Sequence, residues 1–240
     1  MGKDYRPWLA KNEVPSQGDT IHVKGILIPR LFTFFSSLEA TYFFMLERQK
    51  AVVDIREQFP IFHLAKTEAL CAARNVRPIR KNGYPEPFTI DFLITERING
   101  SEVVRAASIK TAEDAKKAEI KERLAIELLW CREHDIDWYL VDTTRFTRTL
   151  LDSLRFIRRW YQAGYATNAT LEARFVDAFR MAYRPNSTLS ELINVVSRLL
   201  RLPTFEAQTI FRFCAWSKAI NVDIEKALAL NRPVCLIEND

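Results

Sequence analysis

Glycine is scarce, with only 6 in 240 residues. A glycine-rich phosphate cradle and a G-x-S-x-G nucleophile elbow are both missing, which argues against a nucleotide-cradling loop and against an α/β-hydrolase. The 4 cysteines, Cys71, Cys131, Cys214 and Cys235, are far apart and form no C-x-x-C. Only His22, His63 and His134 stand beside them, so no zinc-ligand spacing can be written. Isolated cysteines of this kind suggest reduced, packed thiols and a cytoplasmic protein. No apolar run approaches the roughly 20 residues that span a bilayer, and Met1–Pro7 has no signal-peptide core, so no membrane partner is expected. Internal repeats and low-complexity tracts are missing as well. Neither sign of charge dominates: 35 Lys and Arg against 30 Asp and Glu give a net +5, compatible with a phosphate-rich partner without demanding one.

What remains is ordinary for a globular chain, 48% hydrophobic and 27% charged, and long enough for one large domain or two modest ones. The informative stretch runs from Phe88 to Lys110. Side chains alternate along a strand, so Phe88, Ile90, Phe92 and Ile94 are expected on one face, with Asp91 opposite them beside Thr89 and Leu93. A second strand, Val103–Lys110, points Ser108 and Lys110 one way and Arg105, Ala107 and Ile109 the other. Between them the polar segment 96–102 carries Asn99-Gly100, a strong hairpin signal. Pairing the strands brings Asp91 and Lys110 onto one sheet at neighbouring ends. There they could share a metal and a water, or form a solvent-face ion pair; a third group is needed to decide.

Upstream, residues 1–30 read as an irregular arm with a turn at 16–19 and a short apolar alternation at 20–28. A helix is predicted from Ser36 to Glu47, with Phe35, Leu38, Tyr42 and Met45 at helical spacing. Ser36 and Glu39 fit a capping box, and the same glutamate on the first turn could face a sheet and bind metal. Ala51–Pro60 predicts a strand with Val53 and Ile55 inward and Asp54, Arg56 and Gln58 outward. Residues 61–87 are mixed and end in turn-forming residues. A long helix is expected from Thr111 to about Glu133, buried along Leu124, Ala125, Leu128 and Leu129, followed by a buried strand, Asp137–Asp142, parallel to an earlier one.

From Thr144 onward the pattern is helical, over 150–161, 171–183, 189–200 and 204–217. The first of these helices is basic through Arg145, Arg148, Arg155, Arg158 and Arg159. The last two resemble a helix-turn-helix, with 222–224 and 234–237 as a small wing, an arrangement that serves protein contacts as well as DNA. Two domains follow: 1–143 with the arm and the sheet, and 144–240, helical and winged-helix-like. The order helix, three strands, helix, strand is that of the restriction-endonuclease-like nuclease fold, an α/β core of mixed sheet flanked by helices.

The runs Gly2–Leu9, Glu13–Ser16, Ser37-Leu38-Glu39, Val53–Pro60, Asp91-Phe92-Leu93, the lysine-ended strand and Asp137-Trp138 together resemble the TnsA family, endonuclease subunits of heteromeric cut-and-paste transposases. The resemblance covers residues 2 to about 142. It implies Glu39, Asp91 and Lys110 as catalytic residues, with Ser108 where the family carries glutamine and Glu127 as a further acid. It also implies a Mg²⁺-dependent endonuclease, with Mn²⁺ as a substitute, that cleaves the 5′ strands at transposon ends. Glu39, Asp91 and the Ile109 carbonyl would hold the metal, an oxygen set that suits Mg²⁺. The implied partners are transposon-end DNA, a TnsB-like DDE transposase and a TnsC-like ATPase regulator docked on the C-terminal half, with the assembly on the nucleoid. Two other readings remain: a non-cleaving DNA-bound assembly factor on the same scaffold, and a stand-alone restriction or repair nuclease.

Overall fold

A computed structural model describes residues 2–9 and 20–237. The Glu13–Ser16 run and the turn expected at 16–19 lie outside the described residues. The chain divides into two compact units, residues 1–145 and 146–240.

The first unit opens with a 3₁₀ turn at Gly2–Asp4 and a short antiparallel hairpin, β1 (Ile21–Lys24) and β2 (Leu31–Phe34). Helix α1 (Ser37–Glu47) follows, then β3 (Val52–Pro60) and α2 (Leu64–Ala73). Next come a two-residue hairpin, β4 (Arg80–Lys81) and β5 (Tyr84–Pro85), and the long strands β6 (Thr89–Ile98) and β7 (Ser101–Ile109). The unit closes with α3 (Ala118–Glu133) and β8 (Asp137–Val141). The main sheet has the order β3-β6-β7-β8, antiparallel except for the parallel β7–β8 pair. Sequence reading did not resolve α2 or the β4–β5 hairpin within the mixed stretch 61–87.

The β6–β7 hairpin is longer than expected because its turn is minimal. Ile98 pairs with Ser101, and Asn99 and Gly100 between them have φ of 51° and 84°. Positive φ at both central residues lets a two-residue loop follow the right-handed twist of the strands, so pairing continues to the turn itself.

Both faces of the sheet are covered. On one, Phe92 meets Tyr42 and Phe34, and Phe34 packs on Phe43 at 4.9 Å between ring centroids. On the other, Leu93 and Ala106 join Ile61 and Cys71, with Ile126 and Cys131 from α3. Each fully buried aromatic or aliphatic side chain contributes about 1.5–3 kcal/mol of transfer free energy, so burial from two sides is the main reason this hairpin is held.

Several expectations are corrected here. Helix α1 is buried nearly all round, through Ala40, Thr41, Phe43, Phe44 and Leu46 as well as Tyr42, whereas Leu38 and Met45 are only half-buried. An enclosed helix has no stripe for periodicity to find. Helix α3 starts at Ala118 after a 3₁₀ turn, and it buries Leu124, Ile126, Glu127 and Cys131 rather than Ala125, Leu128 and Leu129. In β3 a register shift between Val52 and Asp54 breaks the alternation, so Val52 is buried and Val53 half-buried. Gln58, expected outward, is buried with φ of 50°. Phe88 and Ile90, expected on the face of Phe92, lie in the core with Leu93, where the β3–β6 ladder skips the pair Gln58 and Asp91. Strand β8, expected buried, is an edge strand with every residue at least partly exposed.

The second unit consists of α4 (Arg148–Gln162), α5 (Ala169–Ala182), α6 (Leu189–Leu200) and α7 (Thr204–Trp216). Side-chain caps at Thr147, Asn168 and Thr188 satisfy first-turn N–H groups, and Thr188 with Glu191 completes a capping box. Arg201, with φ of 56°, ends α6 in the left-handed conformation before Pro203. The basic face of α4 is partly internal: Arg158 is buried, and Arg148 and Arg155 both pair with Asp152. The segments expected as a wing meet through a single Val222–Leu236 bridge, and a second bridge joins Thr188 to Pro233. No helix of the described residues is long and apolar enough to cross a membrane.

Candidate active site

Asp91 and Lys110 meet because of strand register. Phe92 pairs with Ala107, which sets Asp91 opposite Ser108 and brings the end of β7 alongside it. The Asp91 carboxylate oxygen Oδ2 accepts the Ile109 backbone N–H at 2.6 Å and the Lys110 ammonium at 2.8 Å. Lys110 Nζ also donates to the Ile109 carbonyl at 2.9 Å, and the Thr143 hydroxyl donates to the Lys110 carbonyl at 2.9 Å. The ion pair is not a solvent-face pair, since the side chains are 13% and 28% exposed.

Glu39 arrives from the first turn of α1. Its backbone N–H donates to the capping hydroxyl of Ser36 at 3.1 Å. Its carboxylate accepts from that hydroxyl at 2.8 Å and from the Phe35 N–H at 3.2 Å. The cap and the site are therefore two uses of one residue. Burial, and then the charge of Asp91, push the Glu39 carboxyl up to about 7, against the pull of Ser36, the Phe35 N–H and Lys110.

Glu127, on α3, is buried and accepts hydrogen bonds from the Ser108 hydroxyl and, at 3.4 Å, from the Trp138 indole N–H. The same indole N–H reaches Ser108 Oγ at 3.2 Å. Burial, then Asp91, push the Glu127 carboxyl up to about 7 as well. For Lys110, burial alone would lower the ammonium; Asp91, Glu127 and Glu39 together hold it above its ordinary value. All three carboxylates thus act on one lysine, and with all of them ionised the group carries two net negative charges.

Every residue singled out from sequence is in or beside this group, Ser108 through Glu127 and Ile109 through both its N–H and its carbonyl. Gln58 was missed. It donates from Nε2 to Glu39 Oε2 at 3.3 Å, and its amide oxygen accepts from the Thr89 hydroxyl at 3.2 Å. A left-handed glutamine inside a strand has no sequence signal, so alternation sent it to the wrong face. Trp138 was visible only as part of the Asp137-Trp138 run.

The donors fit a hard divalent cation: carboxylate oxygens and a backbone carbonyl, with an excess of negative charge. Among the described residues no three His, Cys, Asp or Glu side chains are grouped to hold one ion between them.

These features define a class: an α/β domain whose mixed sheet carries an acid–lysine group at the ends of two adjacent strands. More particularly, residues 49–143 match the model of the TnsA-like endonuclease N-terminal domain. The transposon Tn7 transposition protein TnsA of Escherichia coli is 26% identical over 156 residues, which is 65% of this chain and 56% of that protein. Residues 49–143 are thus similar to a TnsA-like endonuclease domain, and the chain spans little more than half the length of the curated relative it matches. Asp91, Ser108, Lys110 and Glu127 fall inside the matched domain; Glu39 precedes it, and its case rests on geometry.

Proposed function

We propose that this chain is a metal-dependent DNA endonuclease of cut-and-paste transposition, cleaving the 5′ strands at transposon ends on a restriction-endonuclease-like domain. The observation that carries the reading is the convergence of Glu39 from α1, Asp91 from β6 and Lys110 from the end of β7, with residues 49–143 similar to a TnsA-like endonuclease domain. Glu39, Asp91 and the Ile109 carbonyl would hold Mg²⁺, or Mn²⁺ in its place. When bound, the ion would neutralise the scissile phosphate and lower the pKa of a water. The neighbouring carboxylates hold the Lys110 ammonium above its ordinary value, which suits a part in donating to the phosphate and offsetting its charge. Glu127, held by the Ser108 hydroxyl, would add a further negative charge acting on Lys110.

In this reading the cut is made within an assembly: a TnsB-like transposase cuts and joins the 3′ ends, and a TnsC-like ATPase docks on the helical second unit. The working location is the cytoplasm, on DNA of the nucleoid, and the second unit has a winged-helix-like role in those contacts.

Strand-specific cleavage of labelled transposon ends tests the proposal, with partner transposase and regulator present and Mg²⁺ or Mn²⁺ supplied. Metal-dependent 5′ nicks by the wild type that disappear in Lys110→Ala, while 3′ joining continues, are the expected result. Continued 3′ joining with no 5′ nick from either protein would instead make the chain a non-cleaving assembly factor.

A further inference from the structure

We propose that Gln58 is a positioning residue that holds the Glu39 carboxylate in its metal-binding orientation, an inference that rests on the metal-dependent reading above. Three observations converge on it.

The first is register. Glu57 pairs with Phe92 and Phe59 with Ile90, which leaves Gln58 and Asp91 facing each other at the one step the ladder skips. Strand register therefore brings Gln58 to the level of Asp91, at a step where regular pairing is interrupted.

The second is backbone conformation. Gln58 has φ of 50° in the middle of a strand, a conformation that costs a non-glycine residue about 1–3 kcal/mol and persists only where the surroundings impose it. The N-terminal segment holds the backbone here: the Tyr5 hydroxyl donates to the Glu57 carbonyl at 2.9 Å, with the Gln58 carbonyl at 3.4 Å, and the Trp8 N–H reaches the Gln58 carbonyl at 3.5 Å.

The third is the polarity of the amide. The Thr89 hydroxyl donates to the Gln58 oxygen, which turns the Nε2 end toward Glu39 Oε2. A flipped amide would set oxygen against carboxylate oxygen and leave two acceptors facing each other in a buried site. With Glu39 ionised, as metal binding requires, the order Thr89 to Gln58 to Glu39 therefore has one satisfied direction. It leaves the Glu39 oxygens fixed by Ser36, the Phe35 N–H and Gln58 together, with Asp91 and Lys110 as the charged groups acting on them. Partners of this kind orient a metal-binding group, and their loss typically weakens metal affinity by about 10–100-fold.

The test uses the full chain and Mn²⁺ alone as probe, with affinity read by the electron paramagnetic resonance of free Mn²⁺ and folding by thermal melting. Gln58→Met keeps length and volume but removes both hydrogen bonds. It is expected to bind Mn²⁺ at least tenfold more weakly than the wild type with its melting transition retained. In a Glu39→Gln background the same change is expected to have no further effect, because the residue acts through Glu39. Should Gln58→Met fail to fold, Thr89→Val removes only the hydroxyl that orients the amide, and a weakening of several-fold is expected from it. Wild-type Mn²⁺ binding that is unchanged in Gln58→Met, or in Thr89→Val where that variant has to stand in, overturns the positioning role and leaves the nuclease proposal standing. Absence of Mn²⁺ binding by the wild type overturns both.

Discussion

Replacing Asp91 by Asn separates a catalytic carboxylate from a structural ion pair, because the two roles predict opposite patterns of stability and activity. The substitution keeps the side chain's shape and one carbonyl oxygen, which can still accept the Ile109 N–H now bonded at 2.6 Å. It removes charge from the 2.8 Å contact with Lys110. A charge-assisted hydrogen bond contributes about 1.5–3 kcal/mol when buried, and these side chains are 13% and 28% exposed, so screening brings the loss nearer the lower figure. Against that stands a gain. The Asp91 charge is the second cause, after burial, that raises both Glu39 and Glu127, so its removal relieves repulsion at each of them.

The opposing contributions leave a net change within about 2 kcal/mol, or roughly 4–8 °C in Tm for a chain of this size. Nicking is a different matter, since removing one group that stabilises transition-state charge costs on the order of a hundredfold or more. The assay pairs calorimetric or fluorescence melting with 5′-strand cleavage on one preparation. A near-normal Tm with cleavage down more than about a hundredfold supports the site. Substantial cleavage by Asp91→Asn would remove Asp91 from the chemistry, and a collapse of Tm together with activity would make the pair structural.

Glu127→Gln carries a pH prediction. The folded carboxyl is raised from 4.5 to about 7, so between those values the native state binds the proton more tightly than the unfolded chain, and stability falls as pH rises through that window before levelling off above about 7. Denaturant unfolding at pH 5 and pH 8 should show the wild type losing stability with rising pH and Glu127→Gln losing less, with the variant the more stable by up to about 3 kcal/mol at pH 8; a wild-type profile flat across the window would refute this. Arg30→Met strands Glu57, which is fully buried and bonded to that guanidinium by both carboxylate oxygens, so a loss of about 3–5 kcal/mol is expected in urea titration. A loss under about 1 kcal/mol would show that the pair contributes little to holding β3 in place.

Much was legible in residues with local consequences. Asn99-Gly100 fixed the hairpin, and with it the partnership of Asp91 and Lys110, because a turn needing two positive φ values admits few residue pairs. Ser36 and Glu39 marked the start of α1, and the four helices of the second unit came within two residues of their observed ends. Their apolar spacing is periodic because one side of each faces a core.

Tertiary structure alone decided what becomes of side chains when more than one neighbour competes for them. Glu39 could cap its helix or face the sheet, and it does both, since α1 is enclosed and its first turn lies against Gln58 and the Asp91–Lys110 pair. Gln58 was assigned to solvent by alternation, which presumes an unbroken ladder; the left-handed backbone at that residue and the skipped pair opposite Asp91 turn it inward. The position of Glu127 in α3 gives no hint that it shares a buried group with Ser108 and Trp138, residues 19 and 11 positions away. Local sequence determines which backbone shapes a segment can adopt, because propensity, capping and turn chemistry act over a few residues. Which carboxylates share a lysine, and at what pKa, is set by burial and by charges brought together from distant parts of the chain.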